Sequence, residues 1–124
     1  SASLKGVADR IEKRLGLHVP LIRDPFGEGF YVAQATHQTI NKGQALLDLI
    51  ALTGERGTVI AAGDDFNDLP MFAAADISIV MSTAPIDLLD KGDIIAPPAD
   101  EDGIITGLEM ALNSAKAQWT GRSR

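Results

Sequence analysis

The chain has 124 residues, of which 45% are hydrophobic and 23% charged, with a formal net charge of -6 and no cysteine. That length serves one core, or one domain with part of another; the acidic balance opposes a nucleic-acid surface, which needs a clustered basic face, and the absent thiols exclude disulfides and cysteine chemistry. No apolar run approaches the roughly 20 residues of a membrane span, and no signal-peptide pattern opens the chain, so a cytoplasmic protein without membrane or nucleic-acid partners is expected.

Residues 4–15 set Leu4, Val7, Ala8, Ile11 and Leu15 at helical spacing opposite Lys5, Asp9, Arg10, Glu12, Lys13 and Arg14, with Gly16 placed as a C-cap. Two extended segments follow, 17–23 and 30–35. Between them Asp24, Pro25, Phe26, Gly27, Glu28 and Gly29 predict a hairpin turn, and Pro20, which lacks a backbone donor, puts the first strand at an edge. A helix and two strands are too little for an independent domain.

From Thr39 the pattern alternates between helix and strand. The spacing predicts helices over 42–53, 69–75, 86–91 and 101–113, and strands over 58–62, 77–81 and 94–96. In the first of these helices Leu46, Leu49 and Ile50 share a side. Strands that are apolar on both faces and separated by helices predict an α/β fold with a parallel sheet covered on two sides. Three short strands are few for such a sheet, as expected of part of a larger unit. Residues 119–124 carry no periodic pattern and are read as a loose tail.

The run Gly63, Asp64, Asp65, Phe66, Asn67, Asp68, Leu69, Pro70, Met71 follows the strand over 58–62. Open α/β sheets bind ligands at the C-terminal ends of their strands. Three carboxylates crowded at one strand end without a basic partner repel one another, and hard oxygen donors at that density suit Mg²⁺ together with a substrate phosphate. A magnesium and phosphate site is therefore expected here. Asp68 has a competing reading as a helix N-cap ahead of Pro70. Asn67 can cap, donate to a phosphate oxygen or orient a carboxylate.

Lys42 stands in the first turn of its helix, since Asn41 and Gln44 have capping-box spacing, and there the helix dipole disfavours a cation. An ordinary surface lysine is one reading. The other is that a helix N-terminus binds phosphate, that Gly43 permits close backbone approach, and that Lys42 neutralises a phosphoryl oxygen. His18 and His37 have no second ligand at metal spacing, and only His37 is near enough to Lys42 in sequence to remain a minor candidate. Ser82 and Thr83 are read first as caps for the helix over 86–91. Nowhere does an Asp-x-Asp pair follow an apolar strand to supply a nucleophile.

In order along the chain, Lys42, the run over 63–71, the run Ala75, Asp76, Ile77, Ser78, Ile79, Val80, Met81, and finally Glu101, Asp102, Gly103 resemble the C-terminal part of haloacid dehalogenase-like phosphatases. The likeness is to the Cof-type branch, subfamily IIB, and covers residues 37–113. Residues 1–36 are loosely similar to the closing helix and strands of that branch's cap domain. The resemblance thus implies a cap remnant over 1–36 and part of a Rossmann-like core over 37–124.

It also implies Mg²⁺-dependent hydrolysis of a small phosphorylated metabolite, such as a sugar phosphate, through an aspartyl-phosphate. By resemblance Lys42 matches the lysine that steadies nucleophile and phosphoryl group, Asp64 the acid that holds Mg²⁺, Asp68 the second acid supporting the metal, and Asn67 the polar residue beside them. The family's nucleophile motif, Asp-x-Asp-Gly-Thr, and its Ser or Thr motif would lie before Ser1, so this chain alone is expected to be inactive. Ser82, Thr83 and Ala84 stand where the branch commonly has Gly-Asn-Ala.

Three alternatives stand beside this reading. One is a non-catalytic module for Mg²⁺ and phosphate binding or assembly. Another is the phosphorylation domain of a cation-pumping ATPase, whose hinge is similar, although the Leu69, Pro70, Met71 run and the preceding hairpin count against it. A receiver-type domain fits less well, because its lysine follows its acids. Unpaired sheet edges would also permit self-association.

Overall fold

All five residues of the strand Ile77–Met81 are buried, as the middle strand of a parallel sheet covered on both faces requires. The computed structural model describes residues 2–24, 29–54 and 57–122. In chain order the elements are α1 (Ala2–Leu15), β1 (Leu17–His18), β2 (Leu21–Arg23), β3 (Tyr31–Ala33), β4 (Thr36–His37), α2 (Lys42–Thr53), β5 (Ile60–Gly63), α3 (Leu69–Ala74), β6 (Ile77–Met81), α4 (Ile86–Leu89), β7 (Ile94–Ala96) and α5 (Gly103–Arg122).

The expected α/β architecture is present: β5, β6 and β7 form one parallel sheet in that spatial order. Side chains alternate across β6. Ile77, Ile79 and Met81 pack with Ile94, Ala96 and Ala111 on the face covered by α5. On the other face Val80 packs with Ala61, Phe72, Ala84 and Leu88, drawn from β5, α3 and the α4 region. The outer edge of β5 pairs with no strand among the described residues. Also among them, no helix is long and apolar enough to cross a membrane.

The amino-terminal third forms an antiparallel hairpin with α1 laid against it. The strand expected over 17–23 is divided into β1 and β2, whereas β3 fills only part of the one expected over 30–35 and β4 lies beyond its expected end; β1 pairs with β4 and β2 with β3, and one register runs through both pairs. Pro20 is the cause. The Gln34 N–H donates to the Pro20 carbonyl at 3.4 Å, but proline has no N–H to return the bond, and the ladder lapses there. Residues 25–28 of the expected turn lie outside the described residues. Among the described side chains of α1 only Ala8 is buried, and Val7 and Leu15 are exposed, because a two-stranded hairpin covers a narrower face than the apolar spacing offers.

Two helices also differ from expectation. α2 packs through its first turns against α3, where a Cβ on Gly43 would stand 2.2 Å from the Pro70 carbonyl oxygen. Its later residues diverge, and Leu49 is exposed rather than packed beside Leu46 and Ile50. α5 continues to Arg122, past the expected end and through residues read as a tail. Beyond the half-buried Ala115, Trp119 is 74% exposed; the run Ala115, Lys116, Ala117, Gln118 consists of residues with high helix propensity.

Candidate active site

β5 brings Gly63 to the C-terminal end of the sheet, and the chain turns through Asp64 and Asp65 into a 3-10 turn over Phe66–Asp68 that leads into α3. Asp65 is extended and caps this turn: its Oδ1 accepts the Phe66 N–H at 2.8 Å. The Asp68 carboxylate folds back over the strand end, where its Oδ2 accepts the N–H groups of Asp64 at 2.9 Å and Asp65 at 3.2 Å. Together Asp65 and Asp68 form a reciprocal capping box. Gly63 makes this possible, since a Cβ at that position would lie 2.3 Å from Asp68 Oδ2. The N-cap reading of Asp68 is therefore corrected: its side chain makes no cap bond to α3 but reaches backward to the strand.

Lys42 is the first residue of α2. The Asn41 Oδ1 accepts the Gln44 N–H at 2.8 Å, while the Gln44 amide turns away to Asp48, so only half of the expected capping box forms. The Lys42 Nζ donates to Asp68 Oδ1. Asp68 is buried and the lysine side chain half exposed. A cation that the helix dipole disfavours thus has a buried carboxylate as its counterion.

The second cation was not anticipated. Arg23, at the end of β2, gives its backbone N–H to Asp65 Oδ2 at 2.8 Å, its Nη2 to the Asp64 carbonyl at 2.8 Å and its Nη1 to the Thr83 carbonyl at 3.3 Å. Its Nε lies 3.5 Å from Asp65 Oδ2. The only sequence signal was a lone arginine closing the apolar Leu21, Ile22 pair. The expectation of an acid cluster lacking basic partners is thereby overturned: Asp68 has Lys42 and Asp65 has Arg23. Asp65 is a structural cap, buried with Oδ1 on the Phe66 N–H and Oδ2 on the Arg23 N–H.

What remains open is Asp64. It is exposed, and among the described residues its carboxylate makes no hydrogen bond or ion pair. Asn67, three residues on in the turn, is half-buried, and its amide likewise has no partner among them. The described residues hold no group of three or more histidines, cysteines or acids placed for a metal. A single open carboxylate, with the remaining acceptor capacity of Asp68 behind it, still fits Mg²⁺, which keeps several waters and binds through one or two carboxylates and substrate phosphate.

The other candidates lie apart from this arrangement. His37 Nδ1 is engaged by Thr39, with its Oγ1 at 3.0 Å and its N–H at 3.3 Å, and His18 Nδ1 is 3.9 Å from Glu12. Ser82 and Thr83 do not cap α4, whose N-cap is Pro85 without a side-chain bond; what Thr83 contributes is its carbonyl to Arg23.

A sequence profile of the haloacid dehalogenase-like hydrolases matches residues 3–108. The chain belongs to this family. It is 32% identical over 76 residues to a phosphoglycolate phosphatase of Sulfurisphaera tokodaii, an alignment covering 61% of this chain and 34% of that protein. A haloacid dehalogenase-like hydrolase from Bacteroides thetaiotaomicron superposes with a TM-score of 0.61 at 29% identity, over 89% of this chain and 40% of the other. A subclass IIB sugar phosphatase shares the fold at a TM-score of 0.67 and 21% identity, over 90% of this chain and 40% of the other. The chain thus spans well under half the length of each of these relatives.

Proposed function

We propose that the complete protein is a Mg²⁺-dependent phosphatase of small phosphomonoesters, phosphorylated hydroxy acids or sugars, and that this chain is the C-terminal part of it, with residues 1–36 from a cap domain and 37–124 from the core. The observation that carries this reading is the meeting of the Lys42 ammonium with the acid turn at the C-terminal end of a parallel strand, within a family of hydrolases.

In this reading Asp64 holds Mg²⁺ with Asp68 in support, and the bound metal supplies charge neutralisation at the phosphoryl group. Lys42 has three N–H donors and spends one on Asp68; the others can meet phosphoryl oxygens from the solvent side of the pair. Asn67 offers two further amide donors. The N-terminus of α2 adds its positive dipole end to the same place. The attacking aspartate comes from outside these residues, bonds to phosphorus as the ester oxygen departs, and is released when water cleaves the aspartyl-phosphate.

The test is turnover of p-nitrophenyl phosphate with and without Mg²⁺. The complete protein, expressed from its full reading frame, hydrolyses the ester only with the metal, and the isolated chain releases no nitrophenolate. Metal-dependent turnover by the isolated chain would refute the division of the machinery, and an inactive complete protein would refute the phosphatase assignment.

A further inference from the structure

We infer that Arg23 is a positioning residue for the carboxylate of Asp64, coupling the hairpin to the metal and phosphate site; the inference rests on the function proposed above. Arg23 touches two loops at one sheet edge, the turn after β5 through Asp64 and Asp65 and the loop after β6 through Thr83. The contacts use groups that substitution cannot easily replace. Two are backbone carbonyls reached by separate guanidinium nitrogens at 2.8 and 3.3 Å, and the Nε is buried against Asp65. A planar fork of donors can hold several acceptors at fixed angles, whereas an ammonium acts as a point charge.

Both sides of the Asp64 residue are thereby fixed. Its N–H is held by Asp68 and its carbonyl by Arg23, so the backbone is clamped while the side chain has no partner among the described residues. Charge assignment leads the same way. Lys42 offsets Asp68 and Arg23 offsets Asp65, which leaves Asp64 as the carboxylate of the turn that forms no ion pair among the described residues. A residue that shapes a ligand without touching the metal acts through geometry, and loss of such support typically weakens metal affinity about 10–100-fold.

Mn²⁺ serves as the probe, with free ion counted by electron paramagnetic resonance during titration of this chain and of its R23M and R23K variants. The expected result is weakening of about tenfold or more in both, because lysine restores the charge but not the fork. Tighter binding by R23M would mean that the guanidinium acts only as a repelling charge, and unchanged affinity in a folded variant would mean that it merely fastens the hairpin; either overturns the proposal. Should the variants unfold, the unmodified chain decides: Mg²⁺ is expected to displace the Arg23 side-chain ¹⁵N resonances, and an unmoved signal overturns the inference. If the unmodified chain takes up no Mn²⁺ at all, the metal-site reading itself fails, a result distinct from any difference among variants.

Discussion

The Lys42 ammonium and the Asp68 carboxylate meet across 26 positions of sequence, one from the first residue of α2 and the other from the end of the turn that follows β5. Because Asp68 is buried and its partner only half so, the pair is worth more than a surface ion pair but less than a fully desolvated one. Lys42→Met and Asp68→Asn should each lower unfolding free energy by about 1–3 kcal/mol, the cost of a buried polar group left short of partners. In a double-mutant cycle the coupling should be about 1.5 kcal/mol, above the range of exposed pairs. Urea unfolding of the four proteins measures it, and zero coupling would mean that the contact contributes nothing to the fold.

Adjacent acids in the turn should behave oppositely. Asp65→Asn places an amide against Arg23 and the Phe66 N–H, both of which need an acceptor, and should cost about 1–3 kcal/mol. Asp64→Asn alters an exposed group and should leave stability within about 0.5 kcal/mol. In the complete protein, however, the Asp64 change should abolish Mg²⁺-dependent turnover. Thermal unfolding paired with the phosphatase assay separates the two; a destabilised Asp64→Asn protein would contradict the assignment.

Glycine substitutions provide a third comparison. Gly63→Ala forces a methyl group to within 2.3 Å of Asp68 Oδ2 and 2.7 Å of its Cβ, and the turn must shift at a cost of about 1–3 kcal/mol. Gly6→Ala, within α1 and with nothing inside 4 Å, should instead stabilise by about 0.5–1 kcal/mol, as alanine does in helices. Chemical denaturation of both variants against the parent gives the signs directly.

Association is the fourth. The outer edge of β5 lacks a strand partner among the described residues, and α2 exposes Leu47, Leu49 and Leu52, the last at 85%. Unpaired edges and exposed apolar surface each invite association between chains. Sedimentation of the isolated chain should show an average mass that rises with concentration, and Leu49→Lys with Leu52→Lys should return it to the monomer value. A monomeric parent at high concentration would remove this expectation.

How much of this was legible beforehand depended on the distance over which each feature is built. The parallel sheet followed from local runs such as Ile77, Ser78, Ile79, Val80, Met81, and the meeting of Lys42 with the acid turn from motif order. Neither the Pro20 break in the ladder nor the packing of Gly43 on Pro70 was visible, because each depends on which backbone atom faces it. Arg23 carries no local sign of its role. It reaches Asp65 from 42 positions away, and nothing in periodicity marks a donor whose acceptors are carbonyls. The helical tail was missed for the opposite reason, since Ala115 to Gln118 needs no packing stripe to stay helical.

The acid turn also bears on the order in which the chain folds. Asp68 grips the peptide groups of residues only three and four positions earlier, whereas Arg23 and Lys42 approach from 42 and 26 positions away. Closing a short loop costs less chain entropy than closing a long one. The carboxylate hook at Gly63 can therefore form while the chain is still largely random, giving α2 and the hairpin a ready-made anionic landing point. Nucleation and charge capture would then be successive uses of the same six residues.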